Sequence, residues 1–162
     1  MTAPWVDGEE LTAAVMYART TALISALPTG MLGSSTAGAA VTLSTTSAFA
    51  STCKVTFTLT AQRRVKFTGV MGRYNPGSGG GNARIQVGYN TGNTANIASF
   101  VGTGAIVNAS QTAAQAQGQS AEGDALLSPG TYTAYLSITR VGGAATDTAD
   151  NFYVLVEDDG SS

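Results

Sequence analysis

Few side chains in this chain can carry chemistry. Its 162 residues hold ten Asp and Glu, eight Lys and Arg, one Cys, one Trp and no His. Without His there is no Ser-His-Asp or Cys-His pair and no imidazole metal ligand. A single Cys, Cys53, gives neither an intrachain disulfide nor a cysteine zinc site. That leaves carboxylates, and they are segregated: Asp7, Glu9 and Glu10 at the start, none from 11 through 121, and seven from Glu122 onward. Two pairs are close in sequence, Glu122 with Asp124 (AEGDA) and Asp147 with Asp150 (TDTAD), and both read as loops. Either could offer carboxylates and carbonyls to Ca²⁺, but neither matches the twelve-residue loop with acids at alternate positions. Glycoside hydrolysis needs two facing carboxylates in an aromatic-lined cleft. Tyr74, Tyr89, Tyr132 and Tyr135 are available, but the one Trp, Trp5, lies at the far terminus. The expectation is solvated loop acids, with no catalytic residue, no metal and no cofactor.

The other motifs read as structural. The glycine run Gly77–Gly81 lacks a Lys-Ser/Thr ending and precedes a strand, so it is a hairpin loop and not a phosphate cradle. Arg63-Arg64-Val65-Lys66 reads as a charged strand face or edge guard. Cys53 falls on the inward phase of its strand and reads as a small core residue. Asn108-Ala109-Ser110 is a formal glycosylation acceptor only. The net charge is −2 and the pI about 4.9, which argues against nucleic acid as a partner. The segments differ more than the total: −3 over 1–10, +7 over 11–121 and −6 over 122–162. One reading pairs the basic middle with the acidic end inside one domain. The other is charge steering between subunits or onto a complementary partner.

These groups are positioned by a helix and a run of strands. Asp7 is a good N-cap with Glu10 three residues on, and Pro28 and Gly30 stop the helix, which predicts a helix over roughly 8–27. Leu11, Val15, Ala18 and Ala22 step by 4, 3 and 4, with Met16, Leu23 and Leu27 on a neighbouring stripe. Such a face packs either on its own domain or against copies of itself. Residues 29–40 (TGMLGSSTAGAA) read as a small-residue linker, which favours self-association. From about residue 41 the period becomes two. Cys53, Val55, Phe57 and Leu59 alternate with Lys54, Thr56, Thr58 and Thr60, and Val65 and Phe67 continue the pattern. So do Ile85, Val87 and Tyr89; Tyr132, Ala134, Leu136 and Ile138; and Phe152, Val154 and Val156. Seven or eight short strands split by Gly, Pro and Asn turns predict a mainly β protein: an N-terminal helix, then an antiparallel, jelly-roll-like sandwich. The expected boundaries are 1–28 anchor segment and oligomerisation helix, 29–40 linker, 41–157 β-sandwich and 158–162 flexible tail.

No apolar run reaches the 18 or so residues that cross a bilayer, so no membrane partner is expected. Met-Thr-Ala-Pro-Trp shows neither a basic n-region nor an apolar h-region, so synthesis in the cytosol without a signal peptide is expected.

The opening Pro4-Trp5-Val6-Asp7-Gly8-Glu9-Glu10-Leu11-Thr12-Ala13-Ala14 resembles the start of many tail-fibre, minor tail and head-surface proteins of phages that infect actinobacteria. Val15-Met16-Tyr17 departs from the Asn common there. The resemblance spans about 25 residues; the rest is similar in style, a Gly/Thr/Ala-rich β-domain with Ser-Pro-Gly-Thr-Tyr near its end. It implies a virion protein that docks and trimerises through its N-terminal segment and projects the β-domain outward. Pro4, Trp5 and Val6 would be the docking anchor, and Leu11, Val15, Ala18, Ala22 and Leu23 the homotrimer seam. The implied partners are copies of itself, other tail or capsid proteins, and a host-surface glycan. Asn75, Pro76, Gly77 and Asn82 form the candidate receptor-facing loop.

Overall fold

The computed structural model describes residues 13–26, 29–43, 48–76, 81–92, 100–109, 118–142 and 147–160. The period-two stretches become strands because each buries one face. The elements are α1 (Ala13–Ala26), β1 (Gly30–Ala37), β2 (Val41–Thr42), β3 (Ala48–Leu59), β4 (Arg63–Asn75), β5 (Gly81–Thr91), β6 (Phe100–Ala109), β7 (Gln119–Leu127), β8 (Gly130–Gly142) and β9 (Thr148–Gly160). All strand pairings are antiparallel. One sheet runs β1-β9-β4-β7, with the short β2 added to β9; the other runs β3-β8-β5-β6. A five-stranded and a four-stranded sheet in this order make a jelly roll, the expected architecture.

The inward phase of each strand fills the space between the sheets. Val65, Phe67, Met71, Phe152, Val154 and Val156 from one sheet meet Val55, Phe57, Ile85, Val87, Leu136 and Ile138 from the other. Burying each such side chain contributes about 1.5–3 kcal/mol. Phe57, Phe67, Tyr89 and Tyr132 form a ring of aromatic contacts between the sheets, with centroids 5.4–6.1 Å apart. Cys53 is buried as expected, its thiol 3.5 Å from the Ser35 carbonyl. Burial pushes the Cys53 thiol up from its ordinary pKa, against the opposing hydrogen bonds to Ser35 and Val154. On β8 the opposite phase is buried too: Thr133, Tyr135 and Ser137. The Thr133 hydroxyl is satisfied there, donating to the Gly92 carbonyl at 2.7 Å and lying 3.1 Å from the Thr56 hydroxyl.

Three expected boundaries are corrected. Residues 30–37 are not a linker but the edge strand β1, in register with β9 from Gly30↔Asp158 to Ala37↔Phe152. Small residues are needed because β1 lies close over β3: a Cβ on Gly33 would stand 2.6 Å from Val55 Cγ1. The strand β9 continues through residue 160, so 158–160 are not a flexible tail; Asp158 and Gly160 are buried. Residues 119–127 form β7, which places Glu122 and Asp124 on a strand and not in a loop. Residues 161–162 lie outside the described residues.

Candidate functional site

The expected receptor loop leaves from one end of the β4–β9 pair, where two of the buried acids, Asp147 and Asp150, also lie. Asp150, 3% exposed, accepts from Arg73 Nε at 3.0 Å to each oxygen and from Nη2 at 2.5 Å. That fork holds the Arg73 guanidinium above its ordinary pKa. Tyr74, fully buried, donates its hydroxyl to Asp147 Oδ2 at 2.8 Å. Burial, then Asp147, push the Tyr74 phenol well above the usual tyrosine range. The Asp147 carbonyl accepts from Leu43 N at 2.8 Å, which ties the start of β9 to the chain beyond β2. Asp147 and Asp150 are therefore buried structural acids, and the expectation of solvated loop acids is corrected for both. The reason lies far off in sequence: their partners are 73 and 77 residues away.

Asn75 Nδ2 donates to Asp150 at 3.5 Å, and Asn75 and Pro76 are half-buried. Asn75 Oδ1 and Arg140 Nη1 are buried without a hydrogen-bond partner at this end. Asn82 is half-buried on β5, in register with Asn108 on one side and Gly142 on the other. Gly77 lies outside the described residues. Of the four receptor-loop residues, then, Asn75 spends its amide on the domain itself.

The basic cluster is not at an edge: β4 lies between β9 and β7. Arg64 donates to Asp124 at 2.6 Å, and Lys66 stands 3.5 Å from Glu122, both on the solvent face. Arg63 turns inward, 3.7 Å from Asp158. Asp158 accepts from Thr29 N at 2.9 Å, Thr29 Oγ1 at 2.6 Å and Gly160 N at 2.9 Å. Burial raises the Asp158 pKa, but the hydrogen bonds from Thr29 and Gly160 and the Arg63 charge outweigh it and hold the carboxyl below its ordinary value. Four basic residues of the middle segment thus pair with four acids of the end segment within one domain, the first of the two charge readings. Among the described residues no cluster of three or more acids, His or Cys could hold a metal.

Two surfaces stand apart from these pairings. The first is α1, most of whose described side chains are exposed. Met16 and Tyr17 are 51% and 76% exposed, Ala14 and Ala18 are exposed, and Val15 is half-buried. Of the expected seam, Ala22 and Leu23 lie in the helix with side chains outside the described residues; Leu11 and the anchor Pro4, Trp5 and Val6 lie wholly outside them. The second is a shallow groove lined by Thr36, Ala37, Gly38, Asn151, Phe152 and Tyr153. Asn151 takes a left-handed backbone, φ 56°, in the middle of β9. Position 72 opposite must be glycine, since a Cβ there would stand 2.8 Å from Asn151 Cβ and 2.9 Å from its carbonyl oxygen. Sequence reading passed over Asn151 because it follows an acid in what looked like a loop. An Asn between acidic and aromatic residues of one strand is the only signal it gives.

No family model matches the chain, and no curated protein matches it. Solved structures resemble its fold. A sugar-binding protein, the EclA C-terminal domain, is 14% identical with a TM-score of 0.41, over 72% of this chain and 74% of that one. The Eiger TNF of S. frugiperda is 10% identical with a TM-score of 0.42, over 82% and 96%. A carbohydrate-binding module of Cellvibrio mixtus lichenase 5A is 11% identical with a TM-score of 0.35, over 82% and 90%. At these values the likeness is one of fold: an antiparallel β-sandwich shared with carbohydrate-binding modules among others.

Proposed function

We propose that this chain is a non-enzymatic structural protein of a bacteriophage virion, a homotrimeric minor tail or short fibre protein. Pro4, Trp5 and Val6 dock it, α1 trimerises it, and the jelly roll projects outward. The observation that carries this reading is the helix: on α1 the seam residue Ala18 is exposed, with Met16 and Tyr17 exposed beside it. An isolated helix of this length is marginal in water, so it needs burial from partner chains or from the β-domain, and its exposed face is read as meeting partner chains. The virion assignment is supported by the Trp-x-x-Gly-Glu-x-Leu-Thr-Ala-Ala start. A capsid decoration protein at a symmetry axis would have the same build, and location on a particle separates the two. Attachment to a host-surface glycan is a second role, favoured by the uncharged groove at Asn151.

Light scattering tests the trimer. The expected mass is three times the 16.3 kDa chain, falling to one chain in Ala18→Asp; a monomeric parent refutes the helix bundle. Trp5→Ala should release the protein from particles, and retention at the parent stoichiometry refutes the anchor.

A further inference from the structure

We propose that the groove on β9 at Asn151–Tyr153 binds an uncharged glycan, recognised by the Asn151 carboxamide and the Tyr153 ring. The assignment needs only the sandwich and stands whether or not the chain is a trimer or a virion component.

The groove exists because the edge of β9 is uncovered there. The pairing of β1 with β9 ends at Ala37↔Phe152, and that of β2 begins at Val41↔Ala149. Residues 38–40 cross the gap without ladder partners, so β9 is open at its edge over Asp150 and Asn151. Peptide groups left so must be satisfied by solvent or by a ligand. The gap is two residues long, too short for a peptide to add as a strand. The groove has no charged side chain in its lining, unlike the face carrying Arg64, Lys66, Glu122 and Asp124 at the other end of β4. The one charged neighbour on the strand, Asp150, is taken up by Arg73. This argues against phosphate, nucleic acid or an acidic polymer as the occupant.

What the groove does present is suited to hydroxyls on a ring. Asn151 is exposed, and its carboxamide has no hydrogen-bond partner among the described residues. A carboxamide both donates and accepts, which matches paired sugar hydroxyls. Its Oδ1 lies 3.8 Å from where a Cβ on Gly38 would be, so the amide faces across the groove. Tyr153, half-buried and paired in register with Thr36, supplies an aromatic body with a polar tip two residues along. A mostly apolar recess with a few convergent polar groups is the usual form of a small-molecule site.

The test is an NMR titration of the full chain with neutral trisaccharides of glucose, galactose, mannose, xylose and N-acetylglucosamine, and with trigalacturonate as the anionic probe. At least one neutral sugar should shift the amides of residues 36–38 and 151–153. Asn151→Gly keeps the left-handed backbone and removes the carboxamide, since glycine takes this φ without cost. It should weaken binding about tenfold while the melting temperature holds. Tyr153→Ala should weaken it further, and Glu122→Gln, two strands away on β7, should leave it unchanged. The proposal is overturned if no neutral sugar moves these amides, if only trigalacturonate does, if the shifts fall elsewhere, or if Asn151→Gly binds like the parent. Scattering mass and particle association read the trimer and virion assignments separately.

Discussion

Replacing Asp158 by Asn should lower stability at neutral pH by about 3 kcal/mol, and the loss should vanish in acid. Asp158 is 4% exposed and accepts three hydrogen bonds, two from Thr29 and one from Gly160, with Arg63 at 3.7 Å. Charge roughly doubles the worth of each bond, so neutralising the acceptor forfeits about 1 kcal/mol per bond. Asn also turns one oxygen into a donor that meets the donors of Thr29 or Gly160, and it takes the Asp158 charge away from buried Arg63. For a domain of this size the drop corresponds to a fall of about 6–12 °C in melting temperature. The Asp158 carboxyl is held below its ordinary value in the folded chain. Its contribution is therefore complete above the unfolded-state pKa of about 4 and is lost as pH falls through the folded one. Urea unfolding followed by circular dichroism, from pH 7 down to about 2, should show parent and variant converging at the acid end. Amide exchange at Thr29 should speed up in the variant at neutral pH. A variant within about 0.5 kcal/mol of the parent at pH 7, or a gap that widens on acidification, would refute the reasoning.

Gly33→Ala places a methyl 2.6 Å from Val55 Cγ1 and should cost about 1–3 kcal/mol by denaturant unfolding; Val55→Ala in the same chain should return part of it, measured as a double-mutant cycle. Tyr74→Phe leaves buried Asp147 without its phenol donor and should cost about 1–3 kcal/mol. In an alkaline absorbance titration this variant should lose no transition from the ordinary tyrosine range, because the Tyr74 phenol ionises well above it. Cys53 should resist thiol reagents in the native state and react only on unfolding, so that its labelling rate tracks global opening.

The strands that announce themselves are those with one buried and one solvated face. Cys53–Leu59 and Phe152–Val156 alternate in sequence because they alternate in burial. Edge strands are quieter. Gly30–Ala37 and Gln119–Leu127 are built of Gly, Ser and Ala beside a few larger residues, and the same composition that fits β1 against β3 reads as a tether. The acids were misplaced for a different reason. Whether Asp150 is solvated or buried is settled by Arg73, which only the fold brings near. The Asn151 groove is likewise invisible locally, since it is an interruption between two strands that pair with a third.

The place of β9 in its sheet also dictates when that sheet can form. It follows the other described strands of the sandwich in chain order, yet β1, β2 and β4 all pair with it. On a ribosome β1 emerges before β3 through β8 and waits for all of them before it meets its partner. The β4–β7 pair can form earlier, but β1 and β2 have no sheet to join until residue 160 is out. Completion of the domain is therefore late and slow, as a fold dominated by distant pairings should be. A chain cut short before Thr148 would lack the strand that joins β1 to β4, and should not reach the folded state at all.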